Sequence, residues 1–203
     1  MTTSPRNSRQ KRHSAPFVVA LVALLAALLL SACGSSNEDS VDPGTDPPDF
    51  SKAVDAAPKA LAPLYADGAA LVSGGEDAYN AQLAEAKGYP IVVNKWASWC
   101  GPCRVEFPYF QDQAAERANK VGFMGINAAD TDPAAETFLR DHPVPYLSFT
   151  DPDEALSAAV GAVPGQPMTI FYNAAGEKTY VHPGPYESED ALAADIDKYA
   201  VNG

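Results

Sequence analysis

Cysteine and histidine are scarce, with three of each in 203 residues. Cys33 stands alone, while Cys100 and Cys103 lie two residues apart in "NKWASWCGPCRVEFP". A zinc site on that pair would need two more ligands. Beyond Cys33 the chain offers only His142 and His182, about 40 residues apart and without knuckle spacing. A purely structural staple is also disfavoured, because so short a loop limits little unfolded-chain entropy. No Thr-x-x-Cys sequence is present, which argues against a peroxidatic cysteine, and no internal repeat is found.

Positive charge is short as well. There are 14 Lys and Arg against 26 Asp and Glu. Arg6, Arg9, Lys11 and Arg12 precede Cys33, and every acidic residue follows it. Beyond Cys33, ten basic residues face 26 acidic ones, a net charge of −16. That balance argues against nucleic acid and against electrostatic attachment to anionic lipid.

A membrane-length hydrophobic run is missing too. "FVVALVALLAALLL", Phe17 to Leu30, has 14 apolar residues, where a span needs roughly 20. A basic start, a short apolar run and small residues read as a secretory signal over residues 1–32. It ends in "LSAC", which resembles a bacterial lipobox. The resemblance implies cleavage before Cys33 and a diacylglyceryl group on its sulfur. Two acyl chains suffice for stable anchoring, so the chain is expected at the cell membrane, lipid-anchored on its extracytoplasmic side.

Residues 33–57 are polar, acidic and proline-bearing, and read as a disordered tether. About 24 flexible residues reach roughly 25–30 Å. Residues 58–203 read as one domain. "GEDAYNAQLAEAKG" predicts a helix ending at Gly88, and "PIVVNKW" a strand. The helix carrying Cys103 follows. "VGFMGINAA" predicts a second strand, and "DPAAETFLRDH" a helix capped by Asp132 with Pro133 at its first position. "PYLSFT" is extended and "DPDEALSAAVG" helical. "PMTIFYN" and "KTYVHP" predict a hairpin around "AAGE", and "SEDALAADIDKYA" a closing helix capped by Ser188. Helices alternating with strands predict an α/β layer sandwich around one mixed sheet.

The pair sits where this pattern turns from strand to helix. Trp96 and Trp99 are expected to end the strand, and Gly101 and Pro102 to start the helix. Cys100 would then face the positive end of the helix dipole, which favours thiolate over thiol. Cys103, one turn along, can reach back to it.

"WCGPCRVEFP" resembles the thioredoxin superfamily, and within it the membrane-anchored TlpA/ResA-like branch, whose pattern WCxxC-x-x-E-x-P is met by Glu106 and Pro108. "GQPMTIFYNAAGE" resembles that branch's G-x-P-x-T strand. The resemblance covers about Leu71 to the C-terminus. It implies a thioredoxin-like three-layer sandwich and extracytoplasmic thiol–disulfide exchange. The redox centre would be the Cys100–Cys103 disulfide itself, with no cofactor and no metal. Pro167 matches the family's cis-proline, which leaves the Gln166 backbone free for a substrate strand. Trp99, Gly101, Pro102, Gln166 and Pro167 would contact substrate, although Gln166 departs from the apolar residue or threonine usual there.

Glu106 lies three residues past Cys103 and shares its helix face. There it can manage the proton of the resolving thiol. Asn94 occupies the place where thioredoxins carry a buried aspartate, so only one nearby carboxylate is available. Pro108 is expected to kink its helix. Lys95 is a misfit, since a central strand rarely holds lysine. His142 and His182 read as loop or strand residues.

The resemblance implies protein thiol or disulfide substrates, a membrane thiol–disulfide electron donor and a monomer. The Gly101-Pro102 dipeptide is that of strongly reducing thioredoxins, with potentials of about −270 mV. A reductant of specific protein disulfides, for example in cytochrome c maturation, is therefore expected. The alternatives are an oxidant or isomerase in secreted-protein folding, and a non-catalytic binding lipoprotein.

Overall fold

The computed structural model describes residues 49–162 and 164–203. The expected signal, Cys33 and the tether up to residue 48 lie outside the described residues.

The described chain runs α1 (Ser51–Ala56), α2 (Ala62–Tyr65), β1 (Leu71–Val72), α3 (Gly75–Glu85), β2 (Ile91–Trp96), α4 (Gly101–Arg117), β3 (Gly122–Ala128), α5 (Asp132–Asp141), β4 (Ser148–Asp151), α6 (Ala155–Ala159), β5 (Met168–Tyr172), β6 (Lys178–Pro183) and α7 (Glu189–Asp195). A π-helical run, Ile196–Val201, continues α7. The six strands form one mixed sheet in the order β1-β4-β3-β2-β5-β6. β2, β3, β4 and β1 are parallel, while β5 and β6 join antiparallel as the expected hairpin.

β2 is central, and all six of its residues are buried. Burial on both faces explains why "IVVNKW" shows no apolar–polar alternation. Successive side chains still point to opposite faces. Trp96 packs edge-on against Phe107 of α4, with ring centroids 5.2 Å apart. Lys95, one residue earlier, bonds Glu154 at the start of α6. α4 and α6 therefore cover opposite faces of the sheet, which gives the three layers.

Several boundaries differ from the sequence expectation. α1 lies inside the stretch read as tether, and it buries Ala53. The short edge strand β1 has no period of its own to betray it. α5 is capped at Thr131, so Asp132 is its first residue and not its cap. The strand ends at Trp96, leaving Trp99 in the following loop. The helix expected from Asp151 starts only at Ala155, because Asp151 completes β4. α4 continues through Pro108 to Arg117.

A tight contact fixes the register of β2, β3 and β4. Trp96 Nε1 donates to Ser148 Oγ at 3.2 Å, across the backbone of Gly125. A Cβ at Gly125 would collide with Ser148 Oγ and stand 3.0 Å from Trp96 Nε1. Gly125→Ala should therefore lower stability by about 1–3 kcal/mol through overpacking. A urea midpoint unchanged from wild type would show that the Trp96–Ser148 contact yields freely.

Candidate active site

β2 delivers the chain to the start of α4, and a short loop makes the turn. Asp130 braces that loop. Its carboxylate accepts from the Ser98 N–H (2.5 Å), the Ser98 hydroxyl (2.9 Å), Asn127 Nδ2 (3.0 Å) and the Thr131 N–H (2.8 Å). Burial alone would raise the Asp130 carboxyl, but these donors hold it below the usual range. Arg104 donates twice to the Ser98 carbonyl, from Nε at 3.1 Å and Nη2 at 2.7 Å. Trp99 projects outward, 61% exposed. Its indole N–H donates to the Ala129 carbonyl at 2.8 Å, which fixes the ring.

Cys100 and Cys103 are disulfide-bonded, with Cα atoms 5.3 Å apart. Cys100 is the N-cap of α4 in extended conformation, and its sulfur accepts the Cys103 N–H at 3.2 Å. Gly101 and Pro102 occupy the exposed first turn. Cys100 keeps 4% of its surface exposed and Cys103 none. Only Cys100 is open to attack by, or on, an outside sulfur.

The Gln166–Pro167 peptide is cis. Met168, the next residue, pairs with Lys95. Pro167 therefore stands beside the end of β2, where the chain turns toward Cys100. The Pro167 carbonyl accepts the Gly184 N–H at 3.0 Å. Gln166 Nε2 donates to the Ala128 carbonyl at 3.4 Å.

Glu106 is fully buried on the inward face of α4, as is Cys103. Its Oε2 accepts the backbone N–H of Tyr186 at 3.0 Å, and Oε1 has no hydrogen-bond partner among the described residues. Burial pushes the carboxyl up to about 7, with the Tyr186 N–H opposing that rise. It is not a solvated helix residue. Asn94 and the Thr169 hydroxyl, paired across β2 and β5, are likewise buried without partners among the described residues.

The misfit Lys95 has found partners, Glu154 Oε2 at 3.1 Å and the Gly165 carbonyl at 3.2 Å. His142 ends α5, whereas His182 on β6 pairs with Thr169 and stacks its ring on Tyr186, with centroids 4.1 Å apart. Sequence reasoning missed Asp130, Tyr186 and Glu154. All three act across 32 to 80 residues of chain, and no local pattern announces such bonds. No cluster of three metal-ligating side chains occurs among the described residues.

A helix-start disulfide with one slightly exposed and one fully buried cysteine, and a protonatable carboxyl on the same helix face, are the parts that disulfide exchange requires. Known proteins point the same way. The chain is similar to the thiol:disulfide interchange protein HelX of Rhodobacter capsulatus, 36% identical over 107 residues, covering 52% of this chain and 58% of that protein. It is 28% identical over 104 residues to the thiol-disulfide oxidoreductase ResA of Bacillus subtilis, covering 51% of this chain and 58% of that one. DsbE of Pseudomonas fluorescens biotype C is 40% identical over 94 residues, covering 46% and 51%. The chain thus spans little more than half the length of these curated relatives. Among solved structures, a secreted Mycobacterium tuberculosis disulfide oxidoreductase homologous to E. coli DsbE matches with TM-score 0.51 and 30% identity, covering 57% of this chain and 85% of that one. These likenesses support the thioredoxin-like architecture expected from the sequence. Residues 43–195, about three quarters of the chain, match the Redoxin family, and the chain belongs to it.

Proposed function

We propose that the protein is an extracytoplasmic thiol–disulfide oxidoreductase that reduces specific protein disulfides, with the cysteine pair of an apocytochrome c as one substrate of that type. The observation that carries this is the Cys100–Cys103 disulfide at the start of α4 with buried Glu106 on the same helix face. The "LSAC" leader supports attachment to the membrane through lipidated Cys33, with residues 33–48 as part of the tether. The acting unit is a monomer tethered near a membrane dithiol donor.

In the reduced protein, Cys100 is the attacking group. Its thiolate, favoured by the helix start, attacks one sulfur of the substrate disulfide. A mixed disulfide forms, and the displaced substrate sulfur leaves as thiolate and takes a proton. Glu106, as carboxylate, accepts the Cys103 proton. The Cys103 thiolate then attacks Cys100 Sγ and releases the second substrate sulfur. Two electrons pass to the substrate, and the pair returns to the disulfide. A donor dithiol reverses these steps to recharge it. Trp99, Gly101 and Pro102 border the reacting sulfur, while the backbone at Gln166–Pro167 receives an extended substrate segment.

In the reduced protein, alkylation should reach Cys100 first, at a pH below the ordinary thiol range of about 8.5. Peptide mapping after partial alkylation reads this directly. Preferential labelling of Cys103 would reverse the roles.

Glu106 yields a signed pH dependence. Its ordinary value is 4.5 and its folded value is about 7. The folded state therefore binds the extra proton, and stability is fully present below 4.5 and lost as pH rises through about 7. The loss is on the order of 3 kcal/mol. Glu106→Gln should abolish that loss and slow exchange by about 10²-fold. Denaturation midpoints across this range, with the reduction rate of a model disulfide, test both effects. Profiles superimposable on wild type would remove Glu106 from the mechanism.

A further inference from the structure

Lys95 is a buried lysine in the middle of the sheet, and the exchange chemistry above does not use it. Its ammonium is fully enclosed and reaches two acceptors, Glu154 Oε2 at 3.1 Å and the Gly165 carbonyl at 3.2 Å. Gly165 immediately precedes the cis Gln166–Pro167 peptide. A second lysine, Lys178 of β6, donates to the Val160 carbonyl at 2.6 Å. The connection between α6 and β5 is thus held by a lysine at each end, on carbonyls five residues apart.

The backbone of this connection needs outside support. Gly161 and Gly165 hold φ of +72° and +103°, conformations that side-chain-bearing residues rarely adopt. Glu154 holds φ of +58° without being glycine. Such a residue persists where its surroundings over-determine it, and here its carboxylate is bound to Lys95. No backbone–backbone hydrogen bond joins Pro164, Gly165 or Gln166 to another described residue. The Lys95 bond is therefore a principal restraint on the segment that presents the Gln166 backbone.

A half-buried ion pair adds little stability over an apolar pair of similar volume, so the consequence of this one is sought in where it holds the chain. Lys95 stands on the strand that leads to Cys100, and its acceptor stands just before Pro167. One ammonium thus ties the element carrying the attacking sulfur to the element facing it. We infer that Lys95, aided by Lys178, is a positioning residue. It holds Gly165–Pro167 in register with the end of β2, so that an extended polypeptide can pair with the Gln166 backbone while its disulfide reaches Cys100. The inference rests on the proposed function and assigns Lys95 to recognition of polypeptide disulfides, leaving the sulfur chemistry untouched.

The test compares wild type with Lys95→Met/Glu154→Gln, which removes both charges together. Two substrates are used: dithiobis(nitrobenzoate), which needs only an accessible sulfur, and an extended peptide with one internal disulfide. The variant should raise KM for the peptide by ~10-fold, since small misplacements at such sites have large effects. Its kcat, and its rate with the nitrobenzoate disulfide, should stay within about twofold of wild type. Amide hydrogen exchange supplies a readout independent of activity. The Gly184 amide, which donates to the Pro167 carbonyl, should exchange faster in the variant while the β2–β3 ladder keeps its protection. If exchange accelerates equally through the ladder, or nowhere, Lys95 is only a core residue and the inference fails. Equal loss with both substrates fails it as well. Should the double variant not fold, Lys178→Met and Glu154→Gln give the same exchange readout, Glu154 being 35% exposed. A wild type that reduces neither substrate would sink the proposed function, and the exchange rates would still decide the clamp.

Discussion

Strand β2 is buried along its whole length between β3 and β5, so water cannot satisfy its polar side chains. Every feature of the site answers to that burial. Trp96 turns its indole N–H to Ser148 and its ring to Phe107, which seats α4 on the sheet. Lys95 turns to the other face and takes Glu154 and the Gly165 carbonyl. The strand ends at Trp96, burial continues through Ala97 and Ser98, and the chain passes through the Asp130-braced loop to Cys100. The sulfur that must meet a partner is thus placed at the rim of a rigid core.

Three buried or half-buried carboxylates show how donor number sets their chemistry. Asp130 receives four hydrogen bonds and is held ionised below the usual range. Asp151 receives the N–H groups of Leu156 and Ser157 and the Ser157 hydroxyl, and so starts α6. Glu106 receives a single N–H and is fully buried. Desolvation wins there, and the carboxyl titrates near neutrality. The first two are structural anchors. Glu106 is left under-coordinated on the helix face it shares with Cys103, as the proton-handling role proposed for it requires.

The sheet and its helices were legible because their cues are local. The unbroken apolar run of β2, the Gly-Pro helix start, the Ser188 cap and the hairpin around Asn173–Glu177 each lie within one short window. The pairing of Cys100 with Cys103, the place of Glu106 on the face of Cys103 and the cis peptide at Pro167 were legible from motif spacing, and the roles assigned to them are those proposed above. What stayed hidden depends on distant partners. Lys95 looked wrong in a central strand until Glu154 and Gly165 came to it from 59 and 70 residues away. The depth of Glu106 depends on Tyr186, 80 residues on, whose backbone N–H carries no sequence signal. α1 escaped notice because acidic, proline-bearing flanks mask six residues of helix.

The central claim is that Cys100 exchanges disulfides with protein partners while Cys103 resolves the adduct. Trapping tests it most directly. Cys103→Ser protein, recovered from cells under acid quench and mapped by mass spectrometry, should carry partner proteins joined to Cys100 by reducible bonds. The Cys100→Ser protein should carry none. Adducts absent from the Cys103→Ser protein, or equally abundant in both, would contradict the account.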